Sequence, residues 1–245
     1  MTKLFRYELH RFLFNKFFLG LLVITGLYSY QILSGDIIRG VANTAPFSKW
    51  SYGAFLSSLL PLNLITLLFF ISFLYSKKEQ RVQVLTGATP IERVSFALVR
   101  YAAIVTAFAL ICCVVVLISI VFYQRIFHFG SFGNFLSPIL LTLSPAMLFV
   151  LGVGLLAGRV QPGLIYVLML LLLVLNWVSL PYGMELFGGD FYQNYPSTLQ
   201  VGANGEPAFI IPTVVWIGKA AYVGMGILFL LISLYLPKKA CQVDR

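Results

Sequence analysis

Long, uninterrupted stretches of apolar residues dominate the chain, and short polar or basic segments separate them. Six of these stretches are long enough for a helix to cross about 30 Å of hydrocarbon, which takes roughly 20 residues. They are residues 17–34, 54–75, 102–123, 135–158, 163–180 and 214–236. Because the apolar runs are continuous and do not alternate with a period of two, they predict helices and not the strands of a barrel.

The composition also indicates that lipid, and not water, surrounds most of the chain. Of the 245 residues 60% are hydrophobic and only 10% are charged, which is too few charges to cover a water-facing surface. A disordered chain, a disulfide-stapled secreted module and a cytosolic enzyme are therefore excluded. The sequence predicts an all-α membrane protein whose residues 1–245 form a single polytopic transmembrane domain.

Basic residues in the short connections predict the orientation. With the N-terminus in the cytoplasm, thirteen of the 17 Lys and Arg residues fall in cytoplasmic segments and four fall outside or near the outer interface. Basic residues resist translocation, so this distribution places both termini in the cytoplasm and residues 181–213 outside. A cleaved signal peptide is the alternative for the first span, but its apolar run is longer than a usual signal and no small-x-small cleavage site follows it.

The N-terminal residues 2–15 predict a short amphipathic helix. Phe5, Leu9 and Phe12 recur on one face, and Arg6 lies on a neighbouring polar face. A helix of this kind lies in the headgroup layer with its apolar stripe toward the hydrocarbon. The alternative is a basic flank that only orients the first span.

The connection between the second and third spans, residues 76–93, has its own helix punctuation. Gly87 is a natural helix terminator, because glycine tolerates the left-handed backbone found there. Thr89 then suits an N-cap, Pro90 the first helical position and Glu92 the third position of a capping box. The pattern predicts a cytoplasmic helical elbow that continues into the third span.

Val82 and Leu85 lie three residues apart in the first arm of this elbow, among charged neighbours. At that spacing they would form a small apolar knob outside the membrane, which is typical of a docking surface. The alternative is a solvated hairpin whose charges only enforce topology.

Residues within and between the spans give less specific signals. Asn63, Asn176 and the Gly154/Gly158 pair predict helix–helix packing. The segment 181–213 is acidic and aromatic, which predicts a compact cap at the outer surface. Its acidic charge either attracts cationic substrates or only reflects the exclusion of basic residues from external loops.

No catalytic chemistry is apparent in the sequence. The single Gly-Lys pair, Gly218-Lys219, has Thr213 where the first glycine of a phosphate-binding loop belongs, so no nucleotide site is expected. Metal-ligand clusters and protease or esterase motifs are also missing, and Lys219 lies near an interface where it could snorkel. We therefore expect no catalytic residue, no metal and no cofactor on this chain, and no nucleic-acid partner.

The connection at residues 76–93 resembles the corresponding segment in permeases of ATP-binding cassette transporters of the type-2 exporter class. The family pattern is a charged start, then Gly-Thr-Leu-Glu-x-Leu, then Thr-Pro-x-x-Arg. The matching residues here are Lys77, Lys78, Glu79, Val82, Leu85 and Thr89-Pro90-Ile91-Glu92-Arg93. Gln80-Arg81 stands where the family has Gly-Thr, and Gln83 stands where it has Glu.

The resemblance implies a transmembrane permease subunit that pairs with a second identical or related permease and with separate cytoplasmic ATPase subunits. Substrate then leaves between the two permeases of a multi-pass complex in a cell membrane. The residues that the resemblance assigns to ATPase docking and coupling are Glu79, Arg81, Val82, Gln83, Leu85, Thr89, Pro90, Glu92 and Arg93. It also places the amphipathic helix against the ATPase and in contact with membrane lipids.

Short loops and small size make the chain similar to permeases of bacterial antimicrobial-peptide export and self-immunity systems, which implies a bacterial plasma membrane. An amphipathic peptide or a lipid-like molecule is the expected substrate. The alternative from another class is a non-transporting scaffold or sensor whose elbow docks a cytoplasmic regulatory protein.

Overall fold

A computed structural model describes residues 2–76, 93–202 and 205–235, with the backbone alone at Arg93. Within these residues the chain is helical and forms no strand beyond an isolated bridge between Val201 and Pro207. The α-helices are α1 (Thr2–Leu13), α2 (Lys16–Gly35), α3 (Lys49–Leu74), α4 (Arg93–Phe127), α5 (Leu136–Val160), α6 (Gly163–Leu175), α7 (Gly189–Asn194) and α8 (Thr213–Tyr235).

Five helical segments are long and apolar enough to cross a membrane, as expected of a membrane-embedded protein. They are Lys16–Arg39, Lys49–Leu74, Val94–Phe127, Phe132–Val160 and Thr213–Tyr235. The first, second, third, fourth and sixth predicted spans each overlap one of them.

The fifth predicted span, residues 163–180, is only partly helical. Helix α6 has 13 residues, or about 20 Å, which is shorter than the hydrocarbon layer. After Leu175 the backbone tightens, because Trp177 N–H donates to Val174 three residues back. Asn176 is exposed at this helix end, so its predicted role as a buried packing residue is wrong.

Helix α3 forms the centre of the bundle. It is apolar all round and most of its residues are buried, as expected for a helix surrounded by others. Helices α2, α4, α5, α6 and α7 all pack against it. Trp50, Tyr52 and Phe55 are fully buried near its start, and Phe70 is buried near its end.

The helices bring two groups of residues to opposite ends of the bundle. At one end, which we call the α1 end, α1 meets the end of α3 and the beginning of α4, and Tyr101 contacts Ser233 on α8. At the other end, residues 181–202 and 205–212 fold over the bundle and bury Leu186, Phe187 and Phe191. We call these residues the cap and this end the cap end.

Glycines set the closest helix contacts. Gly152 on α5 lies directly against the Gly226 carbonyl on α8, so the two backbones touch. Gly154 lies under Leu68 and Ile71 of α3, and Gly158 lies under the Tyr75 ring. The Gly154/Gly158 pair therefore packs helices together, as the sequence predicted.

Candidate functional site

The N-terminal amphipathic helix is present as α1, one turn from the first long helix. It ends at Leu13, two residues before the predicted boundary, and the Asn15 side chain accepts a hydrogen bond from Phe17 N–H (3.2 Å) to cap α2. This cap separates the two helices and lets α1 take its own direction.

The apolar stripe of α1 faces the protein. Phe12 is buried with its ring edge-on to Phe70 of α3, at a centroid distance of 6.1 Å. Phe5 and Leu9 are half-buried, and Arg6 is exposed. The predicted apolar face of α1 is therefore the face that packs on the bundle, and its placement in the headgroup layer stays a prediction.

An ion-pair network that the sequence analysis missed fastens α1 to α4. Glu8 and Arg100 are 3% and 4% exposed, and Glu8 Oε1 lies 3.7 Å from Arg100 Nε. The second carboxylate oxygen lies 3.6 Å from Arg11 Nη1, one turn further along α1. Burying charges is costly unless opposite charges meet, so this pairing fixes where α1 sits.

A sequence signal for this network existed. Glu8 is the single acidic residue among the first 35, inside an otherwise basic helix, and Arg100 stands just before the predicted third span. These two positions mark both members as unusual, but Arg11 already offers Glu8 a cation on its own helix, so the sequence alone does not pair Glu8 with Arg100.

Helix α4, which carries Arg100, is unusually long. It has 35 residues, about 52 Å, so it is longer than a bilayer with its headgroups. Arg100 also lies over the Phe96 ring, 5.4 Å from its centroid. The first two turns of α4, about 10 Å from Arg93 to Arg100, thus form one unit with α1.

The end of α3 is fastened as well. Tyr75 caps α3 and its hydroxyl donates to the Leu155 carbonyl on α5 (2.9 Å). Residues 77–92 therefore join two anchored ends, one at Tyr75 and one at the α1–α4 unit.

The predicted docking residues themselves fall in this connection. Glu79, Arg81, Val82, Gln83, Leu85, Thr89, Pro90 and Glu92 lie outside the described residues. Arg93 is the first residue of α4, so the helix that the sequence predicted to continue into the third span is in place from there on.

At the cap end, Lys219 and Glu185 join α8 to the cap. Lys219 Nζ donates to the carbonyl oxygens of Glu185 (3.1 Å) and Leu186 (2.9 Å) and is 5% exposed. The lysine therefore does not snorkel as expected. Gly218 lies against the Gly183 backbone, which brings these carbonyls within reach of the ammonium group.

The Glu185 carboxylate caps α7. It accepts hydrogen bonds from the backbone N–H groups of Asp190 (2.7 Å) and Phe191 (3.1 Å). Burial raises the pKa of the Glu185 carboxyl, although these two donors and Lys219 oppose the shift. Negative charge at the start of a helix also interacts favourably with its exposed N–H groups.

Aromatic packing completes the cap. Trp50 on α3 contacts the rings of Phe191, Tyr195 and Phe209, and its indole N–H donates to the Pro207 carbonyl (3.2 Å). Glu206 accepts a hydrogen bond from Ala45 N–H (3.0 Å). Glu185 and Glu206, two of the three acidic residues of this segment, therefore accept hydrogen bonds from backbone amides. The hydrogen bonds described for the third, Asp190, include none from a backbone amide to its carboxylate.

Groups of three or more His, Cys, Asp or Glu side chains that could hold a metal ion do not occur in the described part of the chain. In comparisons with known protein families, curated proteins and solved structures, the chain matches none of them.

Proposed function

We propose that this chain is the membrane-spanning permease subunit of an ATP-driven exporter of the type-2 ATP-binding cassette class. It works with a second permease and with separate ATPase subunits that hydrolyse ATP. In this proposal the α1 end faces the cytoplasm, and the protein lies in the plasma membrane of a bacterium.

The observation that supports this proposal most is the anchoring on both sides of residues 77–92. A movement of an ATPase reaches a membrane helix only through a connection whose ends are held firmly against the helices. Tyr75 anchors one flank to α5, and the Glu8–Arg100 pair anchors the other flank to α1. A push on the connection would therefore reach α3 and α4 directly.

Co-purification tests the proposal. The tagged protein is purified from its own cells with residues Val82 and Leu85 native or both changed to Asp, and bound proteins are identified by mass spectrometry. An ATPase with a phosphate-binding loop should accompany the native chain and be lost from the double variant, because an uncompensated charge in an apolar contact costs a few kcal/mol.

A control variant introduces the same two aspartates at the cap end of the protein. Val201 and Ile210 are 70% and 56% exposed in the cap, and changing both to Asp should leave the ATPase bound. If the Val82/Leu85 variant keeps its ATPase and its transport, the coupling role is wrong. A partner that lacks a nucleotide-binding motif would instead favour the scaffold or sensor.

The proposed substrate is an amphipathic peptide or a lipid-like molecule, because the spans are too apolar to line a polar pore. Cells that lack the protein should become more sensitive to some members of a panel of cationic antimicrobial peptides. Unchanged sensitivity across that panel would remove this peptide class from the proposal.

A further inference from the structure

A groove runs along the outside of the bundle between α2 and α4. Its volume is about 440 Å³, and its lining is apolar except at one end. Ile118 and the buried Phe122 form its floor, while Tyr30, Leu117 and Val121 are more than half exposed and form its rims. The surface is therefore open toward the membrane.

Close contact of the two helices creates this groove. A Cβ added to Gly26 of α2 would lie 3.3 Å from Ile118 Cδ1, so α2 and α4 come close together there. Further along, the Tyr30 ring stands edge-on to Phe122 at a centroid distance of 6.1 Å. The glycine lets the helices meet, and the tyrosine then forms one wall.

The groove has the length of one bilayer leaflet. From Val114 to Arg125 it follows twelve residues of α4, which rise about 17 Å, close to half of the roughly 30 Å hydrocarbon layer. The distance along α4 from Arg100 to Arg125 is about 38 Å, which in a helix that crosses the bilayer upright places these two arginines at the two headgroup layers. Val114 therefore lies near the bilayer centre.

Arg125 supplies the charged end. It is exposed, it is the one charged residue in the groove lining, and no carboxylate of the described residues lies within ion-pair distance of it. A guanidinium group binds phosphate oxygens in a bidentate manner. The groove therefore combines an acyl-chain-sized apolar floor with a phosphate-binding group at headgroup level.

We propose that this groove binds an anionic phospholipid from the leaflet at the cap end, with one acyl chain between α2 and α4 and its phosphate on Arg125. A second copy of the chain is a poorer occupant, because its packing over the groove would remove Arg125 from water and require a buried partner charge. The proposal stands whether or not the chain is a permease.

Native mass spectrometry of the detergent-solubilised full-length protein tests this site. Phosphatidylglycerol and phosphatidylcholine are titrated separately, and the dissociation constant of the first bound lipid is measured. Arg125→Gln should weaken phosphatidylglycerol binding about fivefold, since one basic residue near anionic headgroups contributes about that much. It should weaken phosphatidylcholine binding less, because the choline cation of that lipid offsets part of the attraction between its phosphate and Arg125. Arg39→Gln, which removes an exposed arginine outside the groove, should have no effect.

A second variant tests the chain-binding part. Val114→Phe fills the deep end of the groove and should weaken both lipids, and Leu117→Phe serves the same purpose if the first variant does not fold. Equal effects of Arg125→Gln and Arg39→Gln would overturn the proposal. A loss of dimers with unchanged lipid binding in the groove-filling variant would overturn it as well and assign the groove to a second copy.

Discussion

At the scale of single residues, a few buried charges determine how the ends of the bundle are held. Glu8 and Lys219 are both buried, and each contacts polar groups from a distant part of the chain: Glu8 the Arg100 guanidinium, and Lys219 two backbone carbonyls of the cap. Removing one member of a buried pair costs more than the pair contributes, because the remaining charge stays desolvated. Substitutions at these positions should therefore have large effects.

Glu8→Gln is expected to destabilise the protein by about 3 kcal/mol, because it removes the carboxylate that faces the buried Arg100 guanidinium. The thermal unfolding midpoint in detergent measures this loss. Arg6→Gln on the same helix is the control, since Arg6 is exposed and exposed substitutions usually change stability by less than about 0.5 kcal/mol. Equal midpoints for the two variants would contradict the role given to Glu8.

Glu185 should make the stability of the cap depend on pH. Its pKa in the folded protein is raised above the ordinary 4.5, so the folded state holds the proton to higher pH than the unfolded state does. This contribution to stability is complete below pH 4.5 and is lost as the pH rises through the raised pKa. Glu185→Gln should remove that decline from a series of unfolding midpoints above pH 4.5. A wild-type midpoint that rises relative to the variant over this range would show the opposite sign.

At the scale of helices, sequence patterns located most elements but not their partners. The apolar runs at residues 17–34 and 54–75 match α2 and α3 to within one and five residues at either end. They do so because the thickness of the hydrocarbon layer determines how long an apolar helix must be to cross it. The end of α6 was missed, since apolar composition continues past Leu175 while the backbone turns. The attachment of α1 depends on Glu8 meeting Arg100, a contact between distant positions that no local pattern encodes.

The α5–α8 pair gives a test of helix contact with a control on the same helix. In Gly226→Ala the new carbon would lie 2.6 Å from the Leu148 carbonyl carbon, and backbone atoms cannot yield without separating the helices. We expect a destabilisation of about 1–3 kcal/mol. At Gly224 an added carbon meets nothing within 4 Å, so Gly224→Ala should be neutral or slightly stabilising through helix propensity. The thermal midpoint should therefore fall for Gly226→Ala and stay the same or rise slightly for Gly224→Ala, and an equal fall in both variants would contradict the close contact.

At the scale of the whole molecule, the distribution of basic residues predicts the orientation in the membrane, and cysteine accessibility tests this prediction. The native cysteines Cys112, Cys113 and Cys241 are first replaced by serine. Gln161→Cys then marks the turn at the α1 end, and Ser197→Cys marks the cap, since both positions are exposed. A membrane-impermeant thiol reagent should label Ser197→Cys in intact cells and Gln161→Cys only after permeabilisation. The reverse pattern would invert the proposed topology.

Helix α4 differs from its long neighbours in having no interior proline or glycine. Its residues from Arg93 to Phe127 include neither proline nor glycine, whereas α3 contains Pro61 and α5 contains Pro145. Such a helix tilts as a stiff rod, since sharp bends usually need one of those residues.

A tilt of α4 about its close contact with α2, at Gly26 and Ile118, would have two unequal arms. The arm from Arg93 to Ile118 is about 38 Å and the arm from Ile118 to Phe127 is about 14 Å. A tilt that moves Arg93 sideways by about 3 Å would therefore move Phe127 by about 1 Å in the opposite direction. Such a tilt would therefore displace the end of α4 near Arg93 about three times as far as the end at Phe127, and in the opposite direction.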